Sequence, residues 1–99
     1  MTRNDIIQII RRNNDFLARH GVKRLGLFGS FVRDEQREDS DVDLIVEFGD
    51  GQKTYDNFIE VCYFLEDLVG RKVDLLTLES LSPYIRPHIE KEVRYEVIH

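Results

Sequence analysis

Gly29-Ser30, Asp41-Val-Asp43 and Asp74 are the residues whose types and spacing suit chemistry at phosphorus. Gly29-Ser30 ends the apolar run Arg24-Leu-Gly-Leu-Phe28 and opens a short helical segment. At such a junction backbone N–H groups lack partners and point outward, where they can take a phosphate. Gly29 lets an anion approach the backbone, and the Ser30 hydroxyl adds a donor. Asp41 and Asp43 stand two apart on an extended segment, so they share a face opposite Val42, Leu44 and Val46. Two carboxylates that close repel, and one takes up a proton unless a cation holds both ionised. Mg²⁺, a hard ion that prefers carboxylate and phosphate oxygens, suits the pair. Each part has an ordinary reading when taken singly. Gly-Ser describes any capped turn, an isolated D-x-D is commonly two solvent-facing acids, and Asp74 would serve as a strand-edge acid.

The elements that must position these residues bring them together. Residues about 3 to 19 read as one amphipathic helix, with Thr2 as N-cap, Asp5 in the first turn and Ile6, Ile10 and Leu17 on its stripe. His20-Gly21 ends it. Strands follow at about 24 to 28 and 41 to 48, with a brief helix from Ser30 to about Glu35 between them. A largely buried helix is predicted over 55 to 69, with Tyr55, Phe58, Ile59, Cys62, Leu65 and Val69 at helical spacing. A third strand spans 71 to 77. A last helix starts at Ser80 or Ser82 and runs to about Glu92; Pro87 fits its first turn only if it begins late. Residues 94 to 98 read as an edge strand or a tail. The connection from Ser30 to Asp41 is too short for a crossover helix, so the first two strands are antiparallel neighbours. The helix over 55 to 69 is a natural right-handed crossover, which makes the second and third strands parallel and brings Asp74 beside Asp43. Three carboxylates opposite a phosphate-binding corner form a two-metal site for in-line displacement. The predicted class is α+β: a small mixed sheet of three to four strands with helices packed on it, in a single domain over residues 1–99.

Composition sets the outer limits. With 41% hydrophobic and 33% charged residues the chain is an ordinary globular one, and no apolar run is long enough to span a bilayer. A formal charge of −5 argues against a surface that coats nucleic acid. The single Cys62 forbids an internal disulfide and, with no signal segment at the N-terminus, gives the cytoplasm as the expected location. The acids crowd between Arg33 and Asp50, with eight carboxylates against two arginines. Asp34, Glu35, Glu38 and Asp39 read there as a solvated loop. Cys62 reads as a small buried hydrophobe, His20 as a helix terminator and His88 as a surface residue.

The joint pattern of Gly29-Ser30, ten residues, Asp41-Val-Asp43 and a later aspartate in "VDLL" resembles the nucleotidyltransferases of the DNA polymerase β superfamily, and among them the minimal nucleotidyltransferase (MNT) branch. The resemblance covers essentially the whole chain and includes Arg33, in a Gly-Ser-x-x-Arg arrangement, and Ser40. It implies that Gly29 and Ser30 hold the triphosphate, that Asp41 and Asp43 bind metal, and that Asp74 helps to activate the acceptor hydroxyl at a metal. Arg33 either contacts phosphate or pairs with a local acid. The implied cofactor is Mg²⁺, as two ions, with Mn²⁺ as substitute, and ATP is the substrate. MNT proteins of this size resemble antitoxins that pair with HEPN toxins and move AMP to their tyrosines, so a HEPN-type toxin is the implied partner, with no nucleic acid and no membrane. Two other readings stand beside this one: an antitoxin that neutralises its partner by covering it, and a nucleotidyltransferase acting on a small molecule such as an antibiotic.

Overall fold

The structure is a computed structural model and describes residues 1–99. Four strands form one mixed sheet: β1 (Val22–Phe28), β2 (Val42–Phe48), β3 (Val73–Leu76) and β4 (Arg94–Val97), in the order β3-β2-β1-β4. β1 and β2 are antiparallel and β2 and β3 parallel, as the two connections predict; β4 pairs antiparallel with the free edge of β1. Residues 94 to 97 are therefore an edge strand and not a tail.

The helices α1 (Arg3–Arg12), α2 (Asn14–Arg19) and α3 (Tyr55–Val69) cover one face of the sheet. Thr2 and Asp5 form a reciprocal capping box that starts α1. The predicted single helix over 3 to 19 is broken at Asn13. Its side-chain amide donates to the Ile9 carbonyl at 2.7 Å, a local bond that competes with the helical ladder. Ile6, Ile10 and Leu17 still reach one core, where they meet Leu25, Leu27, Val42, Leu44, Val46, Val61 and Leu65. Fully burying each such side chain contributes about 1.5–3 kcal/mol. The helix α3 is less buried than its periodicity implies. Val61, Leu65 and Val69 are buried, whereas Tyr55 begins the helix in solvent at 77% exposure. Cys62 lies half-buried against the core, and burial raises its thiol pKa.

The opposite face carries the short helix α4 (Arg86–Glu92), which starts six residues later than Ser80. Pro87 sits in its first turn, where a missing N–H costs nothing. Leu78–Ser80 forms only a single 3-10 turn. Ile89 anchors α4 against Phe28 and Ile45, flanked by Leu76, Leu78, Leu81 and Val93. Gly26 allows this corner to close, since a Cβ there would meet the side chains of Val93 and Tyr95. Because Asp43 and Ile45 stand two apart on β2, the face that carries α4 is also the face that carries Asp43.

Candidate active site

The corner after β1 forms because Gly29 adopts φ +78°, a left-handed conformation that favours glycine. Gly29–Phe31 then makes one 3-10 turn in place of the longer helix expected to Glu35. A Cβ on residue 29 would collide with Oδ2 of Asp43, so the corner and this carboxylate lie within direct reach. Phe28 pairs with Asp43 across β1 and β2, and Asp43 pairs with Asp74 across β2 and β3. Gly29, Asp43 and Asp74 therefore form a row across three adjacent strands, and Ser30 is half-buried at its β1 end.

Asp41 enters just before β2. Arg71 Nη1 donates to the Ser40 carbonyl at 3.1 Å, and Ser40 Oγ accepts from the Arg37 N–H at 2.7 Å, which fixes the approach of the loop. Val42 N–H donates to the Lys72 carbonyl at 3.0 Å and joins the loop end to β3. The Lys72 ammonium stands 3.5 Å from Asp74 Oδ1 and 4.0 Å from Asp41 Oδ2. One cation thus faces two carboxylates of the predicted cluster. Sequence reasoning missed it, although a lysine two residues before a strand aspartate is a legible signal.

Burial, and then the charges of Asp74 and Asp41, raise the Asp43 carboxyl pKa to about 6, even though Arg33 opposes the rise. Closely spaced carboxylates behave this way when no cation divides them. The donor set is entirely hard oxygen, which suits Mg²⁺ or Mn²⁺. The side chains are not drawn in tightly enough to grip an ion as they stand. Lys72, two-thirds exposed, stands beside Asp41 and Asp74 and would compete with an ion for them.

Arg33 pairs with an acid, but the main one is remote in sequence. Its Nη1 lies 2.9 Å and 3.1 Å from the two carboxylate oxygens of Glu92, and Nε lies 3.6 Å from Glu35. Glu92 Oε1 also accepts the Gly29 N–H at 2.9 Å. The last residue of α4 therefore places a carboxylate on two of the donors assigned to phosphate. Nothing in the sequence pointed to Glu92. The other candidates stay apart from this row. His20 caps α2 with Nδ1 2.9 Å from the Phe16 carbonyl and its ring stacked on Phe16, and His88 is exposed on α4.

Comparison with known proteins matches residues 6–96 to the model of the nucleotidyltransferase domain family. A candidate protein adenylyltransferase of Methanocaldococcus jannaschii is 42% identical over 88 residues, which cover 89% of this chain and 94% of that protein. The protein adenylyltransferase MntA of Thermococcus cleftensis is 44% identical over 77 residues, covering 78% of this chain and 77% of that one. The solved structure of a candidate minimal nucleotidyltransferase superposes with a TM-score of 0.80 at 34% identity, over 95% of both chains. A chain from a solved complex of a tri-AMPylated Shewanella oneidensis HEPN toxin with an MNT antitoxin shares the fold, with a TM-score of 0.54 at 19% identity, over 86% of this chain and 69% of that one.

Proposed function

This chain belongs to the nucleotidyltransferase domain family, in its minimal branch, and from that membership we propose that residues 1–99 act as one domain that moves AMP from ATP to a protein hydroxyl. The observation that carries the reading is the row Gly29–Asp43–Asp74 across three strands, with Asp41 at its mouth. Gly29, Ser30 and Arg33 lie at the β1 end of this row and would hold the triphosphate. Asp43 at its centre and Asp41 at its mouth would hold Mg²⁺. When bound, the ion supplies charge stabilisation at the α-phosphoryl group and its leaving oxygen.

Asp74 lies on the edge strand β3, on the far side of Asp43 from the corner, and there it would meet the incoming acceptor. It orients the hydroxyl and draws its proton as the oxygen attacks the α-phosphorus. The bond from that phosphorus to the bridging oxygen breaks, and pyrophosphate leaves. Asp41 and Asp74 are both about two-fifths exposed, so the row suits an acceptor that brings its own surface to it. A tyrosine of a HEPN-type toxin encoded next door meets that requirement, and the adenylyltransferase names of the relatives support the assignment. The reaction would run in the cytoplasm, with an antitoxin role.

The test is purified protein, Mg²⁺, labelled ATP and the neighbouring gene product, read by intact mass and peptide mapping. An AMP adduct on tyrosine is expected with wild type. Asp74→Asn should bind nucleotide nearly normally yet transfer none, because it loses stabilisation that develops only in the transition state. If no nucleotide yields an adduct and Asp74→Asn neutralises the toxin as well as wild type does, the protein is a covering antitoxin and not a transferase.

A further inference from the structure

The carboxylate of Glu92 occupies the corner that the nucleotide reading assigns to phosphate. It accepts the Gly29 N–H at 2.9 Å and both its oxygens face Arg33 Nη1, at 2.9 Å and 3.1 Å. An N–H group has one proton to donate, so a phosphoryl oxygen and Glu92 Oε1 cannot both take it well. A triphosphate lodged beside Glu92 would also add negative charge next to Glu92, Asp43 and Asp41, with Arg33 already committed to Glu92. We propose that Glu92 is an internal latch: it fills the phosphate cradle in the free protein and must leave it before a nucleoside triphosphate can bind. This rests on the reading that Gly29 and Arg33 hold phosphate.

The placement of Glu92 suits a latch. It is the last residue of α4, it is only 24% exposed, and the helix is held to the sheet by the single buried side chain Ile89. Rotation of the Glu92 side chain alone would free both donors without disturbing the β1–β4 ladder. While engaged, the latch keeps the Gly29 amide and the Arg33 guanidinium satisfied and correctly spaced, so the cradle stays formed without its ligand. Any partner that draws the end of α4 outward would raise nucleotide affinity without touching the nucleotide.

The probes are Mg·ATP, and inorganic tripolyphosphate, which tests the cradle without a base or sugar. Both are titrated into wild type, Glu92→Gln and Glu90→Gln by calorimetry. Glu90 lies on the same helix and pairs with Arg86 at 2.7 Å, so it controls for the loss of one nearby charge. Glu92→Gln is expected to bind both probes about tenfold more tightly, since a charge-assisted competitor becomes a neutral one, with Glu90→Gln within about twofold of wild type. A second measurement needs no variant: tripolyphosphate added to wild type should shift the Gly29 amide and the Glu92 side-chain carboxyl resonances together. If wild type binds Mg·ATP while Glu92→Gln binds it equally or more weakly, or the Glu92 resonance stays fixed on saturation, the latch is overturned and the nucleotide reading stands. If neither wild type nor Glu92→Gln takes up either probe, the cradle holds no phosphate and both readings fall.

Discussion

Asp43 is the residue on which the electrostatics of the site converge. Burial and two neighbouring carboxylates raise its pKa from 3.8 to about 6. The folded chain therefore binds this proton more tightly than the unfolded chain does. Below about pH 4 both states are protonated and the group costs nothing. As pH rises from about 4 to about 6 the native state must give up a proton it holds well, so stability falls through that window and the penalty is complete above it. A rise of this size corresponds to about 3 kcal/mol in a dry site; Asp43 is half-buried, so solvent screening reduces the penalty to about 1–2 kcal/mol. Asp43→Asn should accordingly raise the thermal midpoint of the metal-free protein at pH 7 and leave it unchanged at pH 4. A variant less stable than wild type at pH 7 would mean that the carboxylate is held by contacts stronger than its repulsions.

The helix α4 has a small footing. Ile89 meets Phe28 and Ile45 in a cluster separate from the main core, and Tyr84 and Ile85 just before the helix are exposed. Ile89→Ala should cost about 2 kcal/mol, the low end for such truncations, because a seven-residue helix on the surface can settle into the space. Leu25→Ala, at 0% exposure in the central strand β1, should cost about 3–4 kcal/mol, since sheet and helices cannot close around it. Denaturant midpoints of the two variants give the comparison. Amide exchange at Gly29 should accelerate in Ile89→Ala and not in Leu25→Ala under strongly native conditions, because the Gly29 N–H is held from α4.

Across the molecule, the sheet joins the corner, the carboxylate row and the latch into one site, so ligand binding should be read out as global stability. With Mg·ATP at about one hundred times its Kd the folded state gains about 2.7 kcal/mol, or roughly 10 °C or more in midpoint for a chain of this size. Neither Mg²⁺ nor ATP alone should match it, because phosphate oxygens complete the coordination of the ion. The Asp41→Asn/Asp43→Asn double variant should start from a higher midpoint, relieved of repulsion, and gain nothing from the ligand. Equal shifts in the two proteins would place the metal and nucleotide elsewhere.

The nucleotidyltransferase pattern was readable in the chain because its parts obey short-range rules. Asp41 and Asp43 share a face by strand alternation, and the Ser30–Asp41 connection is too short for a crossover. A crossover through α3 then delivers Asp74 to Asp43 on a parallel strand, as the register shows. Lys72 was within reach of the same rule and was overlooked. Other features depended on competition that sequence periodicity does not record. The Asn13 side chain wins a backbone carbonyl and splits the first helix, and Tyr55 is left in solvent although it falls on the apolar stripe. Glu92 lies 63 residues from Gly29 and 59 from Arg33, and it meets them only because α4 starts late and docks through Ile89 on the face that bears Asp43. Spacing along a strand fixes which residues share a face; which distant carboxylate lands on a given N–H depends on how a helix packs, and packing exists only once the chain has folded.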